Sequence, residues 1–496
     1  MVSPAGAVFL GEEIQVCAAP GDQVSSNSIF DPINKRFFVS WADLRAGSAD
    51  IYGQLLNANG TIFGTEFTIS TAPNDQTIPE GAYDPAAQRF LMAWLDERAG
   101  TNIYDIYGQF VNASGGLSGA DISICTATNW QVNPVVAFDD LNQRFFIAWG
   151  DYRSGTADIY GQFISANGTF IGTNITISNA ANWQGGPAVA FDPINRRFLV
   201  AWGDRRSGTN YDVYGQLIND DGTIIGTNFT ISSATNDQWF PSVAYDPVFQ
   251  RFLVVWDDRR NGADYDIFGQ FITANGTLSG SNFSISTAPS DQDVVSVAYD
   301  PVAQRFLVVW EDFRTVTQYD IYGQRINADG SPFGTNFSIS TASNDQYDPS
   351  VVYDSVNQRF LVAWEDLRNG IDTDIYGRLI LGGILTSTLP SDFSYAPYST
   401  SVQAKGGTLP YTWTIVSGTL PPGMTLNLGT GEISGMSITP GVYSFDIQVT
   451  EASGLTDTAT FNITIFPNEL PIAALTANPI SGTAPLSVVF TATATD

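Results

Sequence analysis

Histidine is absent from this chain of 496 residues, and cysteine occurs only twice. Zinc-binding motifs of the Cys/His type are therefore missing, and neither a glycine-rich phosphate-binding motif nor an EF-hand loop is present. Long hydrophobic runs are also missing. Because a membrane-spanning helix needs about 18 or more consecutive apolar residues, the sequence predicts no insertion into a membrane.

Positive charge is scarce as well. Charged residues make up 14% of the chain, and 50 acidic side chains against 21 Lys and Arg side chains give a net charge of −29. Nucleic-acid binding depends on cationic side chains that contact phosphates, so this balance argues against a nucleic-acid partner. Strong acidity is typical of a soluble surface or secreted protein, and it is compatible with one that meets cations.

The chain contains seven copies of one sequence repeat. Its fifth copy reads Pro-Ser-Val-Ala-Tyr-Asp-Pro (241–247), then Gln-Arg-Phe-Leu-Val-Val-Trp-Asp-Asp-Arg-Arg (250–260), then Asp-Ile-Phe-Gly-Gln (266–270). A repeat of about 40–55 residues is typical of solenoids and propellers. The tryptophans at the centre of the copies are Trp41, Trp94, Trp149, Trp202, Trp256, Trp310 and Trp364.

Each copy contains four segments with the pattern of β-strands, here named a to d. Strand a ends in an aromatic-Asp-Pro turn, and strand b is a continuous apolar run such as 198–202, which predicts burial on both faces. Strand c begins at Asp-Ile-Tyr-Gly-Gln, and strand d alternates, as at 228–232. No segment shows the periodicity of a helix.

The phase of the repeat distinguishes a closed ring from an open solenoid. Residues 13–17 align with strand d, whereas no strand d follows the seventh strand c at 374–380. The N-terminal strand can therefore complete the last copy, which removes the exposed sheet edges of a solenoid. The sequence predicts an all-β fold with a seven-bladed β-propeller at residues 1–384, closed by its N-terminal strand.

The two cysteines, Cys17 and Cys125, stand at equivalent positions of the repeat. In a ring they fall on outer strands of blades two places apart, farther than the roughly 7 Å between Cα atoms that a disulfide allows. We expect both to be small buried hydrophobic residues.

The composition changes after about residue 386, where Ser, Thr, Pro and Gly dominate. The segments Leu-Pro-Pro-Gly-Met-Thr-Leu-Asn (420–427), Gly-Thr-Gly-Glu-Ile-Ser-Gly (429–435) and Gly-Val-Tyr-Ser-Phe-Asp-Ile-Gln-Val (441–449) resemble the immunoglobulin-like, cadherin-like domain of bacterial and archaeal surface proteins. This resemblance implies an immunoglobulin-like β-sandwich at residues 385–467.

Two further resemblances concern the rest of the chain. The segment 478–490 resembles the opening strands of a PKD-type domain, which implies an incomplete β-sandwich at residues 468–496. The propeller repeat is similar to the Trp-x-Asp-x-Arg repeats of secreted prokaryotic proteins, and this similarity implies no particular activity. Together they imply an extracellular protein, either secreted or attached to the cell surface.

The Trp-x-Asp-x-Arg sequence itself admits two interpretations. It could place a ring of charged groups around a ligand, or it could form a satisfied network between neighbouring blades. Seven faithful copies favour the structural interpretation, because a catalytic site needs groups in distinct environments. The pairs include Asp43 and Arg45, Asp204 and Arg206, and Asp366 and Arg368.

Function is therefore expected where the copies differ. Aromatic residues next to a repeated glutamine, Trp130, Trp183, Trp239 and Tyr347, are candidates for stacking on sugar rings or for anchoring a protein partner. Their alternative role is packing within the loops. All lie on the face that carries the b–c and d–a loops.

Acidic departures supply two more candidates. Asp257, Glu311 and Glu365 follow the tryptophan in three consecutive copies. They form either a half-ring that binds Ca²⁺, the one candidate cofactor, or a basic partner, or else a solvated acidic rim. Glu80 is the one acid at its position in strand a, so with a second carboxylate it could form a glycosidase pair.

These features lead to one leading prediction and two alternatives. The leading prediction is a non-enzymatic extracellular module that binds a glycan or a cell-surface protein, in adhesion or surface architecture. The alternatives are a polysaccharide-active hydrolase or lyase with its site at the channel mouth, and a purely structural surface protein.

Overall fold

The computed structural model describes residues 8–386, 388–407, 409–452, 454–468, 472–478, 481–485 and 487–495. In these residues every regular element is a strand, which confirms the predicted all-β class. The part of the chain that the model describes holds no helix of the length and apolarity that crossing a membrane requires. The chain forms two compact units, one of residues 1–383 with 405–407 and 455–457, and a second of the remaining residues.

The first unit is built from seven four-stranded antiparallel sheets, the blades. The a strands of neighbouring blades contact one another and surround the central channel. In blade order they are β2 (Gln23–Asp31), β6 (Gln76–Asp84), β10 (Gln131–Asp139), β14 (Gln184–Asp192), β18 (Gln238–Asp246), β22 (Gln292–Asp300) and β26 (Gln346–Asp354). The b strands are β3 (Arg36–Asp43), β7 (Arg89–Asp96), β11 (Arg144–Asp151), β15 (Arg197–Asp204), β19 (Arg251–Asp258), β23 (Arg305–Asp312) and β27 (Arg359–Asp366).

The c and d strands complete each blade on the outside. The c strands are β4 (Asp50–Asn57), β8 (Asp105–Asn112), β12 (Asp158–Ser165), β16 (Asp212–Asn219), β20 (Asp266–Thr273), β24 (Asp320–Asn327) and β28 (Asp374–Ile380). The d strands of blades 1 to 6 are β5 (Ile62–Ser70), β9 (Leu117–Cys125), β13 (Phe170–Ser178), β17 (Ile224–Ser232), β21 (Leu278–Ser286) and β25 (Pro332–Ser340). Blade 7 takes its outer strand from the chain start, β1 (Leu10–Cys17), which pairs with β28. The predicted seven-bladed ring and its closure are confirmed.

Hydrophobic cores fill the spaces between neighbouring blades. The seven repeated tryptophans are fully buried there, as the continuous apolar pattern of the b strands predicts. Between blades 1 and 2, for example, the rings of Phe38 and Phe90 lie 4.7 Å apart beside Trp94. Cys17 and Cys125 are buried free thiols, which confirms their predicted role.

A β-bulge interrupts every a strand near its start. The pairing of strand a with strand b shifts between the second and fifth residues of each a strand, as between Gly185 and Ala188 in blade 4. The third residue has a positive φ of 42–57°. This left-handed conformation is unusual for residues with a Cβ atom, and most of all for β-branched ones. The seven residues are Ser25, Ile78, Asn133, Gly186, Phe240, Val294 and Asp348.

The second unit has the alternating pattern of a β-sandwich. Its strands, with two short ones at the unit boundary, are β29 (Gly383–Ile384), β30 (Asp392–Phe393), β31 (Tyr398–Ser401), β32 (Ala404–Lys405), β33 (Thr412–Gly418), β34 (Met424–Leu426), β35 (Glu432–Gly435), β36 (Gly441–Thr450) and β37 (Thr456–Phe466). Alternate residues of β36 and β37, among them Phe445, Ile447, Phe461 and Ile463, are buried. The strands β38 (Ile472–Asn478) and β39 (Val489–Thr495) pair with each other in a separate sheet.

Candidate functional site

The Trp-x-Asp-x-Arg groups form seven equivalent hydrogen-bonded nodes. In blade 4 the indole nitrogen of Trp202 donates to Asp204 Oδ2 over 2.8 Å. Arg206 donates to the same carboxylate from its backbone nitrogen, Nε and Nη2, at 2.6–2.9 Å. The seven aspartates are fully buried, and four donors already occupy each such carboxylate. These contacts leave little room for a ligand at the aspartates.

We expect the Asp204→Ala substitution to lower the free energy of unfolding by about 3–5 kcal/mol, because it leaves a guanidinium and an indole without their buried acceptor. Urea unfolding followed by tryptophan fluorescence measures this loss. Asp140→Ala, an exposed aspartate in the a–b turn of blade 3, is the matched control and should stay within about 0.5 kcal/mol of wild type. Equal stability of the two variants would contradict a structural role for the node.

The bulges of the a strands surround a central cavity of about 470 Å³. Its wall consists of the bulge residues and those that follow them in each blade. Among the described lining residues, Glu80 of blade 2 and Asp348 of blade 7 are the acids, Phe240 is the aromatic residue, and neither Lys nor Arg is present. Equivalent residues in the other blades are neutral, so these three side chains break the sevenfold symmetry of the channel.

Glu80 is half-buried in the wall, and part of its surface is open to the cavity. The side-chain amide of Asn27 in blade 1 donates to its Oε2 over 2.8 Å. Burial, followed by the charge of Asp348, raises the pKa of Glu80 to about 8. The carboxyl group is therefore protonated at neutral pH and can act as a proton donor.

Asp348 is held by two acids of the neighbouring b strands. Its backbone nitrogen donates to Glu311 Oε1 over 2.7 Å, and its side chain is hydrogen-bonded to that of Glu365. Burial raises the pKa of Asp348, while the hydrogen bond from Glu365 lowers it. The pKa of Glu365 is raised by burial and then by the charge of Asp348. The two carboxyl groups titrate as a coupled pair, in which the hydrogen bond from Glu365 favours the ionised form of Asp348.

The three acids that follow the tryptophan, Asp257, Glu311 and Glu365, are buried, with 2%, 7% and 9% of their surface exposed. They are therefore not the solvated rim that the sequence suggested. Each accepts the backbone N–H of the bulge residue in the next blade: Val294 at 3.2 Å, Asp348 at 2.7 Å and Ser25 at 2.6 Å. Among the described residues, no three or more Asp, Glu, Cys or His side chains are arranged to hold a metal ion. A calcium site here stays a prediction.

These acids make stability depend on pH in an unusual direction. Burial is the first cause of the raised pKa in each of Glu80, Asp257, Asp293, Glu311, Asp348 and Glu365. The unfolded chain releases these protons near pH 4–5, whereas the folded chain keeps them to higher pH. The stability that these acids contribute is therefore fully present below their pKa in the unfolded chain, and it is lost as pH rises through their pKa in the folded chain.

We expect the free energy of unfolding to fall by several kcal/mol, on the order of 3–6, between pH 5 and pH 8, since one pKa unit is about 1.4 kcal/mol. Urea titrations at pH 5, 6.5 and 8 measure the change. Glu311→Gln, which is neutral at every pH, should show a smaller fall than wild type. A stability that is constant or rises over this range would contradict the buried, protonated acids.

The four aromatic candidates do not form one cluster. Trp130 makes edge contacts with Tyr104 and Tyr152 at 5.6 and 5.5 Å between ring centroids. Trp183 donates from its indole nitrogen to the hydroxyl of Tyr152 over 2.9 Å. By contrast, Tyr347 packs against Tyr319 in another part of the ring.

The contacts then continue from Trp183 towards the cavity. Trp183 lies 5.5 Å from Trp239, which stacks on Phe240 at 5.2 Å. Phe240 is 49% exposed and lines the cavity. Trp130, Tyr152, Trp183, Trp239 and Phe240 therefore form a continuous series of rings across blades 3 to 5, here called the aromatic ladder. The sequence pattern indicated its three tryptophans but not the tyrosine that joins the first two.

Comparison with known proteins supports the fold of both units. A family model described as "Putative Ig domain" matches residues 383–466. No curated protein matches the sequence. Similar solved structures include an α-L-arabinofuranosidase from Fusarium graminearum, with 10% identity, a TM-score of 0.45 and coverage of 76% of this chain and 98% of that one. An endo-arabinase from Bacteroides thetaiotaomicron has 13% identity, a TM-score of 0.34 and coverage of 49% and 91%.

These similarities correct the leading functional prediction. A thermostable family-43 glycoside hydrolase is also similar, with 11% identity, a TM-score of 0.36 and coverage of 58% of this chain and 98% of that one, and all three of these structures are glycoside hydrolases. They contradict the prediction of a non-enzymatic binding or adhesion module, which is withdrawn together with the expectation that the chain is not an enzyme. Similarity at this level extends to the fold alone, so any activity has to be argued from the residues of this chain.

Proposed function

We propose that the chain is a glycoside hydrolase whose active site is the central cavity. The observation that carries this proposal is the presence of two acids, Glu80 and Asp348, in one cavity whose other five blades contribute none. Glycoside hydrolysis typically needs two carboxyl groups in different protonation states. Environments that hold one carboxyl protonated and the other ionised are the physical basis of that division.

Glu80 fits the role of the general acid. Its pKa of about 8 keeps it protonated at neutral pH, and Asn27 fixes one carboxyl oxygen so that the other can face the substrate. In this role Glu80 donates its proton to the glycosidic oxygen as the bond to the anomeric carbon breaks. A water molecule adds to that carbon and gives up a proton to the second carboxylate.

Asp348 fits the role of the second carboxylate. The hydrogen bond from Glu365 favours the ionised form of Asp348, and this charge stabilises the positive charge that develops on the sugar ring. Its position is fixed by the bulge and by the bond from its backbone nitrogen to Glu311.

The cavity favours hydrolysis over elimination. A lyase that acts on uronic-acid polysaccharides has to neutralise a sugar carboxylate, and a cationic side chain is the usual means. Neither Lys nor Arg occurs among the described residues of the cavity wall, and an ionised Asp348 would repel such a substrate. The extracellular location expected from the sequence is part of the proposal, since polysaccharides of this kind lie outside the cell.

A screen for hydrolysis tests the proposal directly. The purified chain is incubated with arabinan, xylan and mixed-linkage β-glucan between pH 5 and pH 10, and new reducing ends are measured. We expect cleavage of at least one neutral polysaccharide, with a rate that falls above about pH 8 as Glu80 loses its proton. Absence of reducing ends across the panel, from protein that is folded by circular dichroism, would overturn the assignment.

A further inference from the structure

We propose that the aromatic ladder is a binding track that seats one neutral polysaccharide chain and leads it to the cavity. This inference rests on the proposed hydrolase function and specifies its substrate as a polymer that extends beyond the cavity. The track runs from Trp130 at its outer end to Phe240 at the cavity wall.

The ladder is continuous with the cavity and open at both ends. Trp130 is 45% exposed and Phe240 is 49% exposed, whereas the rings between them are half-buried. Phe240 belongs to the ladder through its contact with Trp239 and to the cavity wall through its position in the blade 5 bulge. A sugar chain that stacks along these rings therefore arrives at the wall that Glu80 and Asp348 share.

The rings are fixed in place before any ligand binds. The indole nitrogen of Trp130 donates to the carbonyl of Asn102 over 2.9 Å, and that of Trp183 donates to Tyr152. Their polar atoms are thus satisfied within the protein, and what they offer a ligand is ring surface. Flat apolar surface suits the C–H faces of sugars, and fixed rings reduce the entropy that binding costs.

Blade 4 carries two glycines that make room for Trp183. A Cβ atom at Gly185 would lie 2.3 Å from Cζ2 of Trp183, and one at Gly203 would lie 3.6 Å from its Cζ3. Three other blades, with Val24, Thr77 and Val132, have a β-branched residue at the position of Gly185. The indole consequently lies flat over the backbone of this blade. A side chain at residue 185 would displace it without removing any aromatic residue.

Charge selects the class of polysaccharide. The cavity at the end of the track has two acids and, among its described lining residues, no cation, and the whole chain carries a net charge of −29. Chains of uronic acids are repelled by such a site, while neutral chains are not. The ligand is therefore a neutral polysaccharide.

Binding is measured apart from cleavage to test the track. The Glu80→Gln protein, which retains every residue of the ladder, is titrated by calorimetry and affinity electrophoresis with arabinan, xylan, mixed-linkage β-glucan and polygalacturonate. Trp130→Ala and Gly185→Val are added separately in the same background. Phe249→Ala, an aromatic residue that is 52% exposed in the a–b turn of blade 5, is the matched control.

We expect at least one neutral polymer to bind and polygalacturonate not to bind. Trp130→Ala and Gly185→Val should each weaken polymer binding about tenfold, whereas Phe249→Ala should not change it. In the active chain the two ladder variants should raise KM for the polymer more than for a short oligosaccharide cut from it. Trp130→Ala, which removes an exposed side chain, keeps the test valid if Gly185→Val unfolds.

Unchanged polymer binding in both ladder variants would overturn the track. Binding of polygalacturonate as tight as that of neutral polymers would overturn it as well. Hydrolysis without any measurable polymer binding would also overturn it and would leave the hydrolase standing. Ladder-dependent binding without hydrolysis by the wild-type chain would support the track and overturn the hydrolase. The two proposals can therefore fail separately.

Discussion

Glu80→Gln is expected to lower kcat on a neutral polysaccharide by about 10²–10⁴-fold while KM changes by less than about threefold. Glutamine keeps the shape of the side chain and can still accept the hydrogen bond from Asn27. It cannot deliver a proton to a leaving oxygen. Because the proton transfer stabilises the transition state and not the bound substrate, its loss should appear in kcat rather than in KM.

Stability separates a loss of chemistry from a loss of structure in this variant. The folded state of the wild-type chain has to bury a charge when Glu80 ionises near pH 8, and glutamine removes that cost. We therefore expect Glu80→Gln to be at least as stable as wild type at pH 8 while it is inactive, the trade-off typical of catalytic groups.

Two further variants complete this test. Asp348→Asn should reduce kcat by a similar factor, since it removes the second carboxylate. Glu12→Gln, an exposed glutamate of β1, makes the same chemical change away from the cavity and should leave kcat unchanged. A Glu80→Gln protein that retains the wild-type kcat would contradict the assignment of Glu80 as the general acid.

The ring could be predicted from the sequence because the residues that pack neighbouring blades together recur in all seven copies. Trp202 and its equivalents repeat since every blade packs on the next, and the phase of residues 13–17 was enough to predict closure. The proposed active cavity was harder to predict because its acids come from different blades. Glu80 was recognisable as the one acid at its position, but its partner Asp348 came from a bulge that no periodicity reveals.

The bulge also explains why the acidic residues were misread. Asp257 and its two equivalents end a strand that is buried on both faces, and the sequence does not show what lies opposite. In the structure the bulge of the next blade turns a backbone N–H towards each of them, so the acids are buried acceptors. The raised pKa of Glu80 could not be read from the sequence either, because it depends on burial that only the fold creates.

Deletion of residues 1–17 should have the largest effect on stability. The deletion removes β1, whose backbone pairs with β28 from Ile375 to Ile380. It also removes Glu13, which accepts from Arg368 over 2.7 Å, and buried Val16, which packs in the core between blades 7 and 1. We expect the free energy of unfolding to fall by roughly 5 kcal/mol or more, most of the stability of an ordinary domain.

The form of that loss is as informative as its size. Without β1 the ring keeps an exposed edge at β28, and such an edge favours pairing with other chains, so the shortened protein should aggregate at micromolar concentration. Chemical unfolding and light scattering measure both effects.

A synthetic peptide of residues 8–19 supplied in excess should restore part of the lost stability, since the closing strand is held by the same pairing whether or not the chain is continuous. Truncation after residue 467 is the control, because it removes β38 and β39, which pair only with each other among the described strands. If removal of β1 lowered the free energy of unfolding no more than removal of this tail, closure by the N-terminal strand would not be what holds the ring together.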